Sequence, residues 1–335
     1  MNTFGTNFRV SIFGESHGDT IGVTLDGVPS GMPLCGEDFT SDIDRRRPGA
    51  KGTTPRKESD TPQIISGLYE GHTTGAPMTI LFANGNVHSD DYKQFLSVPR
   101  PGHADFSASE RFDGWNDPRG GGHFSGRLTL PVVAAGVVAK KLLKAYLEDG
   151  GFWENDSWEG INARVVELGG ILDPSGWDEA LDDAIRQGDS LGAVVECECQ
   201  FPAGFGNPFW DSVESLISHA VFAIPGVRGI EFGDGFRSSS MKGSEHNDPF
   251  GLDGIPLKNG SGGINGGITN GAPIRFRVAF KPTSSIARAQ KTLDFETGKM
   301  VELKCPGRHD ACFALRTPVV VEAVTAIVLA DMMCK

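Results

Sequence analysis

The chain has 335 residues, of which 39% are hydrophobic and 22% charged, with a formal net charge of −12. That length admits two ordinary domains or one large one with a sizeable core. The acidic balance excludes a general nucleic-acid binder, because such affinity comes from Lys and Arg neutralising phosphates. No apolar run reaches the roughly 20 residues that a membrane span requires, and the longest candidate, 318–334, is interrupted by Glu322 and Asp331. The opening residues show no basic segment followed by an apolar one. A cytosolic protein without membrane or nucleic-acid partners is expected.

The segments FRVSIFG (8–14) and IGVTLDGVP (21–29) are rich in β-branched and apolar residues and predict a strand pair. Between them, Gly14, Ser16 and Gly18 fit the G-x-S-x-G spacing of a hydrolase nucleophile elbow. An elbow needs a helix after the serine, and the following residues do not start one. Ser16 is therefore read as a turn residue, and His17, whose ring titrates near neutrality, as the more useful group.

Arg45, Arg46, Arg47, Lys51, Arg56 and Lys57 crowd the stretch 44–57, opposed only by Asp44. A local cationic site on an acidic protein suits a small, highly charged anion. Two more strands are expected within 61–84. The turn RPGHAD (100–105) presents His103 beside Arg100, with Asp105 able to orient its ring.

The glycine-rich stretch RGGGHFSGR (119–127) stands immediately before an apolar helix expected over 130–147, so backbone amides and the helix dipole could face an anion. It is neither a Walker A motif nor a dinucleotide fingerprint. The weakest candidate for a domain boundary is 149–160, but nothing there reads as a linker, and one domain is expected.

An amphipathic helix ending at Gly188 is predicted over 176–188. The strand GAVVECECQF (192–201) puts Cys197 and Cys199 on its apolar face with Val195 and Phe201. A helix is expected within 208–226, stopping before Pro225, and strands within 226–236 and 272–282. The second glycine loop (259–271) leads through the last of these into Lys281, Pro282, Thr283, Ser284 and Ser285, whose ammonium and hydroxyls suit a phosphate.

In CPGRHDAC (305–312), Arg308 suits a carboxylate and Asp310 a proton-acceptor role. Zinc on Cys305, His309, Asp310 and Cys312 is disfavoured, since no second half-site of Cys or His pairs exists. The six cysteines read as mostly buried thiols rather than a disulfide framework. A terminal helix is predicted over 318–333 with Thr317 as N-cap. The mixture is α/β or α+β, without the βαβ period of a doubly wound sheet.

Eight segments in order resemble the signature segments of the chorismate synthase family: FGESHGDTIGVTLDGVPSGMPL, DIDRRRPG, RPGHADF, RGGGHFSGRLT, MKGSEHNDPF, GGINGGITNGAPI, KPTSSI and GRHDACFALRTPVVVEA. They span essentially the whole chain. The resemblance implies an α+β fold, a β-α-β sandwich in a single large domain, assembled as a homotetramer. It implies anti-1,4-elimination of phosphate from 5-enolpyruvylshikimate 3-phosphate to give chorismate, a reaction that requires reduced FMN without net redox change, with NADPH as a possible reductant.

By motif, His17 and His103 would be general acids, and Asp310 would assist removal of the ring proton. Arg46, Arg47, Arg100, Arg127 and Arg308 would hold the substrate's anionic groups, with Lys51 near the phosphate or NADPH contact. The flavin would lie along Ser125, Gly126 and Arg127, Gly266 and Gly267, Lys281 to Ser285, and Arg308. No metal is implied. The chain departs from the family at His123-Phe124-Ser125, where many members carry an Arg-Ser-Ser type sequence, and its 48–57 loop is one residue short. The alternative is a non-catalytic flavin- or anion-binding protein on the same scaffold.

Overall fold

A computed structural model describes residues 2–54, 59–85, 90–149, 158–252, 254–305 and 309–334. The first sheet contains β1 (Thr3–Phe4), β2 (Arg9–Gly14), β3 (Thr20–Asp26), β4 (Gln63–Ser66) and β5 (Met78–Ala83). Its order is β1-β2-β3-β5-β4, antiparallel throughout. Strand periodicity sends Ile21, Val23 and Leu25 of β3 and Met78, Ile80 and Phe82 of β5 to one buried face.

The second sheet contains β6 (Ile161–Leu168), β7 (Ala193–Cys199), β8 (Val227–Phe232) and β9 (Ile274–Phe280), in the order β8-β9-β7-β6 and again antiparallel. Cys197 lies opposite Phe276 and Val195 opposite Val278, all four buried, so the Cys-x-Cys pair packs as core.

The helices are α1 (Thr40–Arg46), α2 (Asp105–Arg111), α3 (Thr129–Asp149), α4 (Trp177–Gln187), α5 (Val213–Val221) and α6 (Pro318–Met333), besides short helical turns. Helix α3 rests on the first sheet, α6 on the second, and the two pack on each other between them. They approach closely: a Cβ on Gly136 would stand 2.3 Å from that of Ala323. The result is an α+β sandwich with one continuous apolar cluster reaching both sheets.

Helix α6 is buried on every side from Val319 to Asp331, which explains its apolar run, and among the described residues no helix is long and apolar enough to cross a membrane. Its two acids are answered. Glu322 accepts from Arg45 Nη2 (2.6 Å), Lys140 Nζ (2.8 Å) and the Ala163 amide (3.0 Å). Burial alone would raise its pKa, but Arg45 and Lys140 outweigh it and hold the carboxyl below the ordinary glutamate range. Asp331 Oδ1 accepts from the amides of Thr6 (2.8 Å), Asn7 (2.6 Å) and Phe8 (2.8 Å), fastening the beginning of the first sheet to the end of α6.

Three local expectations are corrected. Thr317 does not cap α6: its backbone is already helical and its hydroxyl donates to Ala314 O at 2.9 Å. The helix expected within 208–226 begins only at Val213, because Ser212 caps it through the Ser215 amide at 3.1 Å, leaving Phe209 and Trp210 outside and exposed. A hairpin of Gln290–Asp294 with Lys299–Leu303, and helix α2, lie where no element was anticipated. Gly188 does end α4, in the left-handed conformation at φ +65°. Most of the weak junction at 149–160 lies outside the described residues, but Trp158 is docked, donating its indole N–H to Gln200 O at 3.0 Å.

Candidate active site

Residues 15–19 join β2 to β3 and are held from the end of β5. The Asn84 side chain donates to Gly18 O (2.7 Å) and Glu15 O (3.2 Å), and its backbone amide donates to Asp19 O (3.0 Å). The Ser16 amide donates to Gly122 O at 3.1 Å. No helix follows Ser16, so the elbow geometry is absent. His17 is buried, edge-on to the Tyr92 ring at 5.1 Å and 84°.

Gly120, Gly121 and Gly122 all have positive φ, at +61°, +81° and +53°, conformations that glycine adopts without penalty. Their loop runs between the two histidines. A Cβ on Gly120 would lie 2.4 Å from His17 Cδ2, and one on Gly121 3.3 Å from His103 Cε1. His123 anchors the loop by donating from Nδ1 to Gly14 O at 2.7 Å, a structural role for the residue that departs from the family pattern.

His103 is oriented by Asp105. Its Nδ1 stands 2.6 Å from Asp105 Oδ1, which requires Nδ1–H to donate and leaves Nε2 as the exchangeable position. Arg100 donates to the same carboxylate from Nε and Nη2, both at 2.7 Å. Burial alone would raise the Asp105 pKa, yet Arg100 and His103 hold it far below the usual aspartate range.

The turn 281–285 closes on this assembly. Arg100 Nη1 donates to Ser285 Oγ (2.9 Å), Ser284 Oγ to Gly102 O (2.9 Å), and Lys281 Nζ to Ser284 Oγ (2.8 Å) and Gly102 O. Burial and the neighbouring Arg228 hold the Lys281 ammonium below the ordinary lysine pKa.

Asp310 is a buried, paired carboxylate. It accepts from the Thr54 amide (2.6 Å) and from Arg316 Nη2 (2.8 Å). Ser16, His103, Ser125, Lys281 and Asp310 border one cleft of about 1010 Å³, with His17 just behind the Ser16–Gly120 wall. The cleft lining also includes the apolar side chains Phe4, Val10, Ile12, Phe313 and Val324.

Beside it lies a second cavity of about 130 Å³ bordered by Arg46, Asp60, Arg127 and Arg316. Here Asp60 is buried among guanidinium groups: Arg46 Nη1 at 3.3 Å, Arg47 Nε at 4.0 Å, and Arg127 Nη1 in direct hydrogen bond. Thr54, Ser125, Gly126 and Arg316 line both cavities.

The expected residues thus fall into groups. His103, Asp310, Ser125, Gly126, Arg100, Lys281, Thr283, Ser284 and Ser285 border the cleft, and Arg46 and Arg127 border its annex. Lys51 does neither: it turns outward to Asp182 (2.9 Å) and Asp178 (3.8 Å) of α4. Gly266 and Gly267 sit in a hairpin away from the cleft, where Gly267 O accepts from the Val213 amide at 3.0 Å. Pro282 does not border the cleft, and Arg308 lies outside the described residues. Among the described residues no cluster of three His, Cys, Asp or Glu side chains is arranged for a metal.

Asp60, Asn84, Tyr92, Arg228 and Arg316 were not singled out from sequence. For Arg316 the signal was present, an arginine six residues after Asp310 and just before the terminal helix.

Comparison with known proteins places the whole chain in one family. The family model described as chorismate synthase matches residues 8–334. A chorismate synthase of Chitinophaga pinensis is 53% identical over 336 residues, covering 99% of this chain and 96% of that protein. One of Korarchaeum cryptofilum is 44% identical over 346 residues, covering 98% and 96%. A crystal structure of chorismate synthase superposes with a TM-score of 0.71 at 25% identity, covering 98% of this chain and 92% of the other. On the strength of a family match running from the first sheet to the last helix, the chain belongs to the chorismate synthase family.

Proposed function

We infer that the cleft performs the family's reaction, a carbon–oxygen lyase step in aromatic amino acid biosynthesis that eliminates phosphate from 5-enolpyruvylshikimate 3-phosphate to give chorismate. The observation that carries this reading is the convergence of His103, the Lys281–Ser285 turn and Asp310 on one cleft flanked by an arginine wall. A substrate with one phosphate and two carboxylates needs such a wall, because a compact polyanion is bound well only where guanidinium groups are held in place.

Arg46, Arg47, Arg100 and Arg127 are assigned to those anionic groups. His17 and His103 act as general acids, one toward the leaving phosphate and the other toward the reduced cofactor. For His103 the donating atom is Nε2, since Nδ1 is committed to Asp105 at 2.6 Å. Asp310, paired with Arg316 at 2.8 Å, assists loss of the ring proton.

The residues present fit FMN. The cleft offers apolar side chains for a ring system and the polar turn of Lys281, where Thr283 Oγ1 is buried without a hydrogen-bond partner among the described residues. Reduced FMN, when bound, supplies an electron that is lent and recovered, so the reaction has no net redox change. We assign its phosphate to the 281–285 turn and its ring to the side of Ser125 and Gly126.

We also assign a cytoplasmic homotetramer: Phe209, Trp210 and Phe236 are each at least 85% exposed, and surfaces of that kind favour burial against another copy. Anaerobic incubation with dithionite-reduced FMN and the substrate tests the reading. Chorismate and phosphate should appear one for one, and a folded protein that releases neither would overturn it. Turnover with oxidised FMN and NADPH, without added reductase, identifies NADPH as a reductant.

A further inference from the structure

Arg127 is gripped from two sides. At its tip Nη1 donates to Asp60 Oδ1, and at its neck Nε donates to Asn84 Oδ1 at 3.1 Å. Asp60 is buried at 3% exposure and sits in the left-handed region at φ +47°, a conformation that Asp and Asn tolerate better than other side chains. Its other oxygen faces Arg46 Nη1 at 3.3 Å and Arg47 Nε at 4.0 Å.

Four guanidinium groups, those of Arg46, Arg47, Arg127 and Arg316, meet Asp60 and Asp310 here, with Asp44 paired to the outer side of Arg47, leaving a net charge of +1 among these described residues. Without Asp60 the same arginines would repel one another across a cavity of about 130 Å³ and splay. With it they are neutralised enough to stay converged and still attract a polyanion.

Asn84 faces the other way as well. Its Nδ2 donates to Gly18 O at 2.7 Å and Glu15 O at 3.2 Å, the two carbonyls flanking Ser16 and His17. A continuous path therefore runs from the arginine wall through Arg127 and Asn84 to the turn that carries His17.

We propose that Asp60 and Asn84 are positioning residues that hold Arg127 between them, so that anion binding at the arginine wall is coupled to the placement of the His17 turn. This deepens the functional reading above and rests on it for the identity of the anion. Neither residue touches the reacting atoms.

Two effects of removing Asp60 have opposite signs, which makes the test decisive. Deleting a negative charge strengthens attraction for an anion, whereas releasing the arginines weakens it. The proposal requires the second to win.

Asp60→Asn keeps the shape and suits the left-handed backbone, while it removes the charge and turns one of the two accepting oxygens into a donor. Calorimetric titration with inorganic phosphate should show binding weakened about tenfold, the size of one lost charge-assisted hydrogen bond. Asn84→Ala should weaken it similarly and, in turnover, also lower kcat by disturbing His17. In an Arg127→Ala background Asn84→Ala should not weaken phosphate binding further, because the residue it holds is gone, and Asp60→Asn should weaken it less than in the wild type, since only Arg46 and Arg47 remain to be released.

Tighter or unchanged phosphate binding in Asp60→Asn, or full additivity with Arg127→Ala, overturns the proposal. Should Asp60→Asn fail to fold, the Asn84→Ala and Arg127→Ala cycle decides alone. Phosphate binding is read without turnover, so failure of the lyase reading would leave this result interpretable.

Discussion

Replacing Gly120 by alanine should disable the enzyme while leaving it folded. The added Cβ would lie 2.4 Å from His17 Cδ2, 2.6 Å from its Nε2 and 2.8 Å from Ser16 Oγ. An ordinary carbon–carbon contact is about 3.5 Å, so the ring must withdraw by roughly 1 Å. A misplacement of that size in a reacting group costs about 100-fold in rate. The backbone adds its own penalty, since φ is +61° and an L-residue there loses about 1–2 kcal/mol. For a chain of this size that lowers Tm by only a few degrees.

Gly121→Ala is the matched control. It carries a similar backbone penalty at φ +81°, but its Cβ would stand 3.3 Å from His103 Cε1, a gap that a shift of a few tenths of an ångström restores. Steady-state anaerobic assays should show kcat down about 100-fold in Gly120→Ala and less than tenfold in Gly121→Ala, with similar losses in Tm. Equal loss of rate in the two variants would trace the effect to the backbone rather than the ring contact. That result, or a Gly120→Ala kcat within about twofold of wild type, would refute the reasoning.

Asp331→Ala strips one acceptor from three amides and should destabilise the fold by about 3 kcal/mol, lowering Tm by roughly 4 °C, while Asp331→Asn loses less; equal Tm values would contradict it. Glu322 and Asp105 have folded pKa values held below the ordinary carboxylate range. Their stabilisation is therefore complete above about pH 5 and drains away as pH falls below about 4 toward the folded values. A Tm series should fall over that acid range, and Glu322→Gln should flatten the fall; an unchanged slope would count against it. Of the six cysteines only Cys35 is exposed, and burial pushes the Cys312 thiol up to about 11. A thiol reagent should modify one cysteine in the native protein and six after unfolding.

Much of the fold was legible because its strands alternate cleanly. Ile274, Phe276, Val278 and Phe280 of β9 all face inward, as their spacing implied. Helix α3 was equally plain from its apolar first half. Helix α2 was not, since DFSASER offers no apolar stripe and packs only Ala108 deeply. Nor was the start of α5, where the Ser212 cap sets the first turn at Val213 and leaves Phe209 and Trp210 outside it.

Within the site, the histidines and the Lys281 turn announced themselves by chemistry next to glycine. Asp60 and Asn84 did not, because their roles depend on partners 67 and 43 residues distant in the chain. The three successive arginines also diverge in a way no local pattern reveals. Arg45 serves Glu322 of α6, Arg46 turns into the buried annex, and Arg47 lies half exposed beside Asp44 and Ser59. Lys51, grouped with them by sequence, faces α4.

The central claim is that two histidines on either side of the 120–122 glycine loop serve one cleft, and that Ser16 is not the reacting group. The most direct test is the rate of anaerobic phosphate release from 5-enolpyruvylshikimate 3-phosphate with reduced FMN, compared across wild type, His17→Ala, His103→Ala and Ser16→Ala. The account predicts that both histidine variants fall by at least about 100-fold and that Ser16→Ala stays well above them. Histidine variants with wild-type rates, or a Ser16→Ala variant slower than His17→Ala, would contradict it.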